Sequence, residues 1–563
     1  MKTGDPLPKA ANPAAPLQLR HVQAAVLTEG EAARAERERT QALPLSQRVA
    51  TGVALVGLRA APHADGLRLA FTDNLSKFKV GDSLSLMRGT TCVQVRLIEE
   101  AREHLLVAPG SPWSRLGPEH RGDGWSLEPA EVDLEEMTLG ALGRLPQRRL
   151  DALLAFASGS RRAEARRPFT LPNPLLSARQ REALELALGS ADPVLVQGPP
   201  GTGKTYVLAQ LVAQLVAEGK RVLLTAFTHH AVHNALRAVA KVAPSAALAK
   251  LGHASIAAEL PDAIERIPDR SALAQRLAQP GPLVLGATTH AALLTLDDRR
   301  GTGTLDFDVV VLDEASQASL PTGVAALCRA PRAVLFGDHR QMAPVVQGTY
   351  SDERLSKSVF ELLWRAQPGV MLDITHRMNK ELCALPSRAW YGGELRPSPA
   401  AADRRLRFPS VDPADVLYPD TPETFLFRAP GEGTDQRSPT EARLIAEQVR
   451  RLVDAGIPAK EIAVIAAFRV QVREIRRALA TLPGTAFEDV TVDTVERIQG
   501  QERDVIFLSF AVDAAAAADP SIRFFTPERL NVALTRARVK RVLVGAEDTI
   551  RGVIGLCTEG VAA

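Results

Sequence analysis

The stretch Gly198-Pro199-Pro200-Gly201-Thr202-Gly203-Lys204-Thr205 fits the phosphate-loop pattern G-x-x-x-x-G-K-[ST]. It follows the apolar run Val194-Leu195-Val196, which reads as a strand, and precedes a segment from Tyr206 to Ala217 with helical spacing of apolar residues. Glycines let backbone N–H groups turn inward around phosphate oxygens, and a helix N-terminus adds the positive end of its dipole. Lys204 supplies a point charge for β- and γ-phosphates, and the Thr205 hydroxyl can hold Mg2+. A glycine-rich turn without a ligand would not need the strand and helix on either side, so a nucleoside triphosphate is the expected ligand. Further on, Val309-Val310-Val311-Leu312 reads as a buried strand ending in Asp313-Glu314. Asp313 is placed to bind Mg2+ through water, and Glu314 to polarise the attacking water as a general base. Alone, an acidic pair after a strand is a modest signal; beside a phosphate loop it is strong.

These residues need a sheet to hold them. After Leu171, strands and helices alternate to the end of the chain: Val222-Leu223-Leu224, Leu283-Val284-Leu285, Ala333-Val334-Leu335-Phe336, Ile462-Ala463-Val464-Ile465, Val505-Ile506-Phe507-Leu508 and Arg541-Val542-Leu543-Val544 read as strands. Near-continuous apolar strands separated by helices imply parallel sheets covered on both faces, and the length of the pattern calls for two α/β domains in tandem. Upstream, residues 1–16 read as a disordered leader and residues 17–44 as a charged stalk helix. Residues 45–130 carry short alternating runs punctuated by Gly, Asp and Pro, the pattern of a small β-barrel or sandwich. Trp113 and Trp125 fall there, with core packing or loop anchoring favoured over base stacking. Residues 131–168 read as a returning stalk helix ending in the basic cluster Arg161-Arg162 and Arg166-Arg167, by default a solvated face. The expected domains are then 169–368 and 369–550, with a tail at 551–563.

The 563 residues exceed one core; 45% are apolar and 24% charged, which is ordinary for a globular protein. A formal charge of +3 neither demands nor excludes a nucleic-acid partner. Cys92, Cys328, Cys383 and Cys557 have no metal-ligand spacing and suit buried thiols in a reducing compartment. No apolar run is long enough to span a bilayer, and no signal peptide is evident, so a cytoplasmic protein is expected.

The motifs taken in order resemble superfamily 1 helicases, in particular the 5′-to-3′ branch of the nonsense-mediated-decay helicase and the helicase half of the Okazaki-fragment nuclease-helicase. The resemblance covers residues from about 17 to 550 and implies two RecA-like P-loop domains with a stalk and barrel ahead of them. It implies ATP and Mg2+ as cofactors, held by Gln180 (an adenine reader), Gly198, Pro199, Pro200, Gly201, Thr202, Gly203, Lys204 and Thr205. His376 stands where the family stacks a tyrosine on the base, and Glu502 at its ribose contact. In Gly337-Asp338-His339-Arg340-Gln341 the resemblance makes Gln341 a γ-phosphate sensor. In Thr375-His376-Arg377-Met378-Asn379 and Asn531-Val532-Ala533-Leu534-Thr535-Arg536 it makes Arg377 and Arg536 the residues that stabilise charge on the transferring phosphate. Catalysis is therefore assigned to Lys204, Asp313, Glu314, Gln341, Arg377 and Arg536.

Contacts to the strand are carried over to Thr228, His229, His230 and Asn234 of motif Ia, and to Thr288, Pro344, Arg469 and Thr494. The chain departs from the family pattern at His376, at His233 and Glu496 (commonly Asp) and at Ile498 (commonly Phe). The segment from Leu236 to Gly281 lies where relatives insert a helical subdomain. The implied function is an ATP-dependent 5′-to-3′ helicase or translocase on single-stranded nucleic acid, DNA slightly favoured over RNA, acting as a monomer; which proteins it partners is not written in the motifs. An ATPase that remodels protein–nucleic-acid complexes would share every motif. A non-catalytic clamp disagrees with the intact Lys204, Asp313 and Glu314, and a metabolic kinase with motifs Ia, V and VI.

Overall fold

The computed structural model describes residues 16–559, apart from 73, 75, 102, 111–114, 131–134, 160–175, 253–259, 296–306, 368, 433–435, 485–486 and 520–521. The leader up to residue 15, Trp113 and the cluster Arg161-Arg162 and Arg166-Arg167 lie outside the described residues.

Two parallel sheets follow from the apolar runs. In the first, the strands stand in the order Ile264–Ile267, Leu248–Leu251, Leu283–Thr288, Arg221–Ala226, Val309–Asp313, Arg332–Gly337, Val194–Gln197, Val370–Met371. All its neighbours pair in parallel. Val309–Asp313 and Val194–Gln197 are buried along their whole length, because apolar side chains from helices cover both faces. The second sheet runs Glu423–Arg428, Ala537–Ala546, Arg503–Ser509, Ile462–Ala466, Thr491–Thr494, again all parallel and covered on both faces. The tandem α/β expectation therefore holds.

The strands between residues 55 and 129 form a closed barrel in the order Leu55–His63, Gly66–Ala70, His104–Pro109, Thr91–Glu100, Ser83–Arg88, Gly122–Pro129. Leu58, Leu69, Leu86, Val95, Val107 and Trp125 alternate into its core. Trp125 is fully buried, with the Arg88 guanidinium 4.3 Å from its ring centre, so it packs the core. The helix Leu19–Ala42 rests on the first domain: Glu29 accepts from the Gln347 and Gly348 N–H groups at 3.0 and 2.9 Å and from the Tyr350 hydroxyl at 2.7 Å.

Several elements differ from expectation for identifiable reasons. The returning stalk is two helices, Glu135–Gly143 and Gln147–Ala157, broken before Pro146, which cannot donate within a helix. Leu142, Leu150, Leu153 and Phe156 join the apolar core of the first domain. Among the described residues, the segment from Leu236 to Gly281 extends the first sheet by the strands Leu248–Leu251 and Ile264–Ile267 and carries the helix Arg270–Ala278. Val370–Met371 belongs to the first sheet, and Gly369 lets it close in, since a Cβ there would collide with the Leu195 carbonyl. The last helix, Glu547–Glu559, buries Val553 and Cys557 against the second domain, so the fold continues past residue 550. Cys328, Cys383 and Cys557 are buried, and burial pushes their thiols up to about 12, 11 and 12; Cys92 is exposed. Among the described residues no helix is long and apolar enough to cross a membrane.

Candidate functional site

The carboxyl ends of adjacent parallel strands bring the chemistry together, as open α/β sheets do with their ligands. Val194–Gln197 delivers the phosphate loop, Val309–Asp313 delivers Asp313 and Glu314, and Arg332–Gly337 delivers Asp338. Inside the loop the Thr202 hydroxyl donates to the Pro199 carbonyl at 2.7 Å, and Gly201 and Gly203 sit at φ +75° and +80°, where a side chain is strained. Gln180 is buried behind it. Its amide nitrogen donates to the Thr202 carbonyl at 3.1 Å and its oxygen accepts from Ser177 N–H at 3.1 Å, a capping box that leaves one N–H for a base.

Lys204 opens the helix Lys204–Ala217, its Nζ 2.5 Å from Glu314 Oε1 and 3.3 Å from Asp313 Oδ1. Burial works against the ammonium charge, but the two carboxylates outweigh it and raise its pKa. Burial raises Asp313, with Lys204 opposing; at Glu314 the same burial is outweighed by Lys204, which holds that carboxyl below its ordinary value. Glu314 occupies the left-handed region at φ 49°, uncommon for a branched or long side chain, and its N–H donates to Asp313 at 2.9 Å. The Thr205 hydroxyl and the Asp313 carboxylate offer oxygen donors, the type that Mg2+ takes.

The second domain closes the other side. The Thr375 hydroxyl donates to the Pro200 carbonyl and the His376 N–H to the Gly201 carbonyl, both at 2.8 Å. The His376 ring is exposed beside the loop. Arg377 donates to Glu502 at 2.5 Å and to the Thr535 carbonyl at 3.1 Å, so Glu502 is engaged by an arginine here. Burial opposes the Glu502 charge, but Arg377 and its neighbours hold the carboxyl below its ordinary value. Arg536 donates to the Val532 carbonyl at 2.8 Å and reaches Gln341 Oε1 at 3.4 Å; burial, then Arg377, pushes its guanidinium down to about 9. Arg536 is thus a buried cation beside a second cation, a site that an anion would relieve.

The residues expected to contact the strand lie at or after the carboxyl ends of strands in the two sheets. Leu283–Thr288 pairs with Arg221–Ala226, so Thr288 lies beside the end of the strand that leads to Thr228. Both threonine hydroxyls cap helices, accepting from Ala291 and Ala231 N–H at 3.2 Å, and Thr288 is buried. His230 and Asn234 are exposed, one turn apart and 3.0 Å from each other. His229 is half-buried against Lys250, Nζ to Nδ1 3.3 Å. Pro344 is half-buried, Thr494 is buried, and Arg469 is half-buried with its guanidinium pushed down to about 10 by burial and then Arg497. Two residues escaped the sequence reading. Phe227 is 43% exposed with its ring 6.4 Å from His290, and an aromatic between a strand end and a capping threonine was the available signal. Arg497 joins both carboxylate oxygens of Glu100 in the barrel at 2.7 Å and the Phe78 carbonyl at 2.5 Å, a contact with no local signal.

Fold and site together define a P-loop ATPase with two α/β domains. Two family models, each described as an AAA domain, match residues 175–381 and 355–548. The chain is similar to the DNA replication ATP-dependent helicase/nuclease DNA2 of Mus musculus, 33% identical over 67% of this chain and 37% of that protein. It is also similar to the DNA-binding protein SMUBP-2 of Mesocricetus auratus, 28% identical over 69% of this chain and 44% of that protein. It therefore spans under half the length of these curated relatives. A solved helicase, Arterivirus nonstructural protein 10, shows 15% identity and a TM-score of 0.41 over 91% of this chain and 82% of that one. Within the P-loop ATPases, the chain resembles the superfamily 1 helicases.

Proposed function

We propose that the protein is an ATP-dependent helicase and translocase that moves 5′ to 3′ on single-stranded nucleic acid, DNA in preference to RNA. The observation that carries this reading is the composite cleft, in which Thr375 and His376 dock on the Pro200 and Gly201 carbonyls while Lys204, Arg377 and Arg536 converge. The phosphate loop cradles ATP through its N–H groups, and Lys204 turns from Glu314 to the β- and γ-phosphates. Glu314, released from that ion pair, accepts a proton from the attacking water, while Arg377 and Arg536 balance the charge that develops on the γ-phosphate. Thr205 and Asp313 would hold Mg2+, which would supply further charge neutralisation at the phosphates. Loss of γ-phosphate weakens the arginine contacts, and a strand gripped by both domains is then held alternately by each. DNA is favoured because the similar proteins are named for DNA replication and DNA binding. Strand contacts are expected mainly at phosphate and sugar, hence salt-sensitive and indifferent to sequence.

The test is ATP turnover alone and with single-stranded DNA, single-stranded RNA or duplex, beside Lys204→Ala, followed by unwinding of 5′-tailed and 3′-tailed duplexes. Stimulation by single-stranded DNA and unwinding from the 5′ tail are expected. Turnover indifferent to every nucleic acid would overturn the reading, and stimulation without unwinding would replace it with a remodelling ATPase.

A further inference from the structure

Tyr391 ends the helix Lys380–Trp390 of the second domain and lies in that domain's apolar core, 3% exposed, with Leu395, Ile506 and Leu530. A buried phenol needs a hydrogen-bond partner, and this one finds its acceptor across the domain boundary. The hydroxyl donates to Asp338 Oδ2 at 2.7 Å and accepts from Asn531 Nδ2 at 2.8 Å. Those directions are forced. Asn531 Nδ2 also donates to the Arg340 carbonyl at 2.7 Å, which fixes the amide with its N–H toward the phenol, so the phenol's one proton goes to Asp338.

Asp338 is 2% exposed and fully subscribed. Its Oδ1 accepts from Gln197 Nε2 at 3.0 Å and from Arg340 N–H at 3.1 Å; its Oδ2 accepts from Tyr391 and from Gln341 Nε2 at 2.6 Å. With its nitrogen committed there, Gln341 turns its carbonyl oxygen to Arg536, 3.4 Å away. The connections therefore run Asn531, Tyr391, Asp338, Gln341, Arg536. They start and finish in one short stretch of the second domain and enclose two residues of the first. Gln197 extends the network to the strand that carries the phosphate loop. Asn531 Oδ1 is buried with no partner among the described residues, an acceptor left open on the same cluster.

We propose that Tyr391 is a positioning residue that couples the second domain to Gln341, its hydroxyl holding the same Asp338 oxygen that sets the Gln341 amide against Arg536, a role that rests on the ATPase reading above. An ordinary core tyrosine would bond within its own domain. Here the hydroxyl is spent on the carboxylate that also orients the amide facing the arginine. Without the hydroxyl, Asp338 Oδ2 keeps one donor, and the Gln341 amide loses the fixed geometry that pre-organises the cleft before the γ-phosphate develops charge.

The experiment compares wild type, Tyr391→Phe, Gln341→Ala and the double variant for kcat and KM of ATP without nucleic acid, with thermal melts alongside. Tyr391→Phe should lower kcat about tenfold while KM for ATP stays within about twofold, because the hydroxyl touches no loop residue. The double variant should be no slower than Gln341→Ala alone, since both losses pass through one carboxylate. Unchanged kcat in Tyr391→Phe, or a double variant whose loss is the product of the two single losses, overturns the proposal. A merely structural tyrosine would lower the melting temperature without this kcat-against-KM split or the non-additivity. Strand stimulation is scored separately on wild type: if it is absent, the helicase reading fails while this comparison stands. A wild type that hydrolyses no ATP overturns both.

Discussion

Replacing Gly201 and Gly203 separately by alanine distinguishes a phosphate loop that works alone from one completed by the second domain. Both glycines lie in the left-handed region, so either alanine carries backbone strain of roughly 1–2 kcal/mol. Their surroundings differ. A Cβ on Gly201 would stand 2.5 Å from Arg377 Cβ and 2.6 Å from Thr375 Oγ1, short stiff atoms that cannot swing aside. Overpacking of that kind adds about 1–3 kcal/mol. A Cβ on Gly203 meets the amide end of Gln180 at 3.0 Å, the far end of a longer side chain, and Tyr206 Cβ at an ordinary 3.9 Å. Gly201→Ala should therefore be worse than Gly203→Ala by about 1–3 kcal/mol, or roughly 5- to 150-fold in kcat/KM for ATP. The assay is steady-state turnover of both variants in one buffer, with thermal melts to show that each is folded. If Gly203→Ala is impaired as much as Gly201→Ala, the Thr375–Arg377 segment does not dock on the loop during turnover, and the composite cleft is wrong.

Glu314→Gln should reduce kcat at least about 100-fold while nucleotide binding is kept or tightened, because Lys204 loses its competing carboxylate. A fluorescent ATP analogue titrated beside the turnover assay checks this, and retained turnover would remove Glu314 as the base. His229 and His233 are held neutral, at about 3 and about 4, by burial first and then by Lys250. The unfolded chain, at about 6.5, takes up their protons before the fold does, so stability is complete above pH 6.5 and falls as pH drops toward 4. After discounting for partial exposure, the loss at pH 5.5 is about 1–2 kcal/mol; urea midpoints at pH 7.5 and 5.5 should show it, and the double Gln variant at these positions should flatten it. Arg497→Ala removes charge-assisted bonds from the barrel to the second domain, and amide exchange around Phe78 should quicken by about 5- to 30-fold, a loss of about 1–2 kcal/mol. Unchanged exchange there would show that the contact contributes nothing.

Elements whose signal is local were legible, and the reason is visible in particular residues. Val309–Leu312 is a continuous apolar run because both faces of its strand are covered, and the phosphate loop announces itself because glycine is needed at Gly201 and Gly203 for backbone reasons alone. Leu248–Leu251 was missed because Lys250 interrupts the run; its ammonium is buried and bonds the Leu251 carbonyl and His229, which no pattern within the strand reveals. Glu423–Arg428 was missed because it is an edge strand, with Phe425 and Phe427 exposed and stacked at 6.1 Å in place of a clean alternation. Spacing within a motif indicates which residues share one turn, but it does not indicate which motif faces which. Arg536 meets Gln341, Glu29 meets Gly348 and Arg497 meets Glu100 only because separate units dock. Those contacts also constrain how the parts can move. The barrel is tied to the second domain at Glu100, and the stalk preceding it is tied through Glu29 to residues 347–350, the continuation of the segment that starts at Gln341. A shift of Gln341 and a shift of the second domain therefore both strain the attachments of the same barrel, and neither can proceed far without moving it or breaking a named bond.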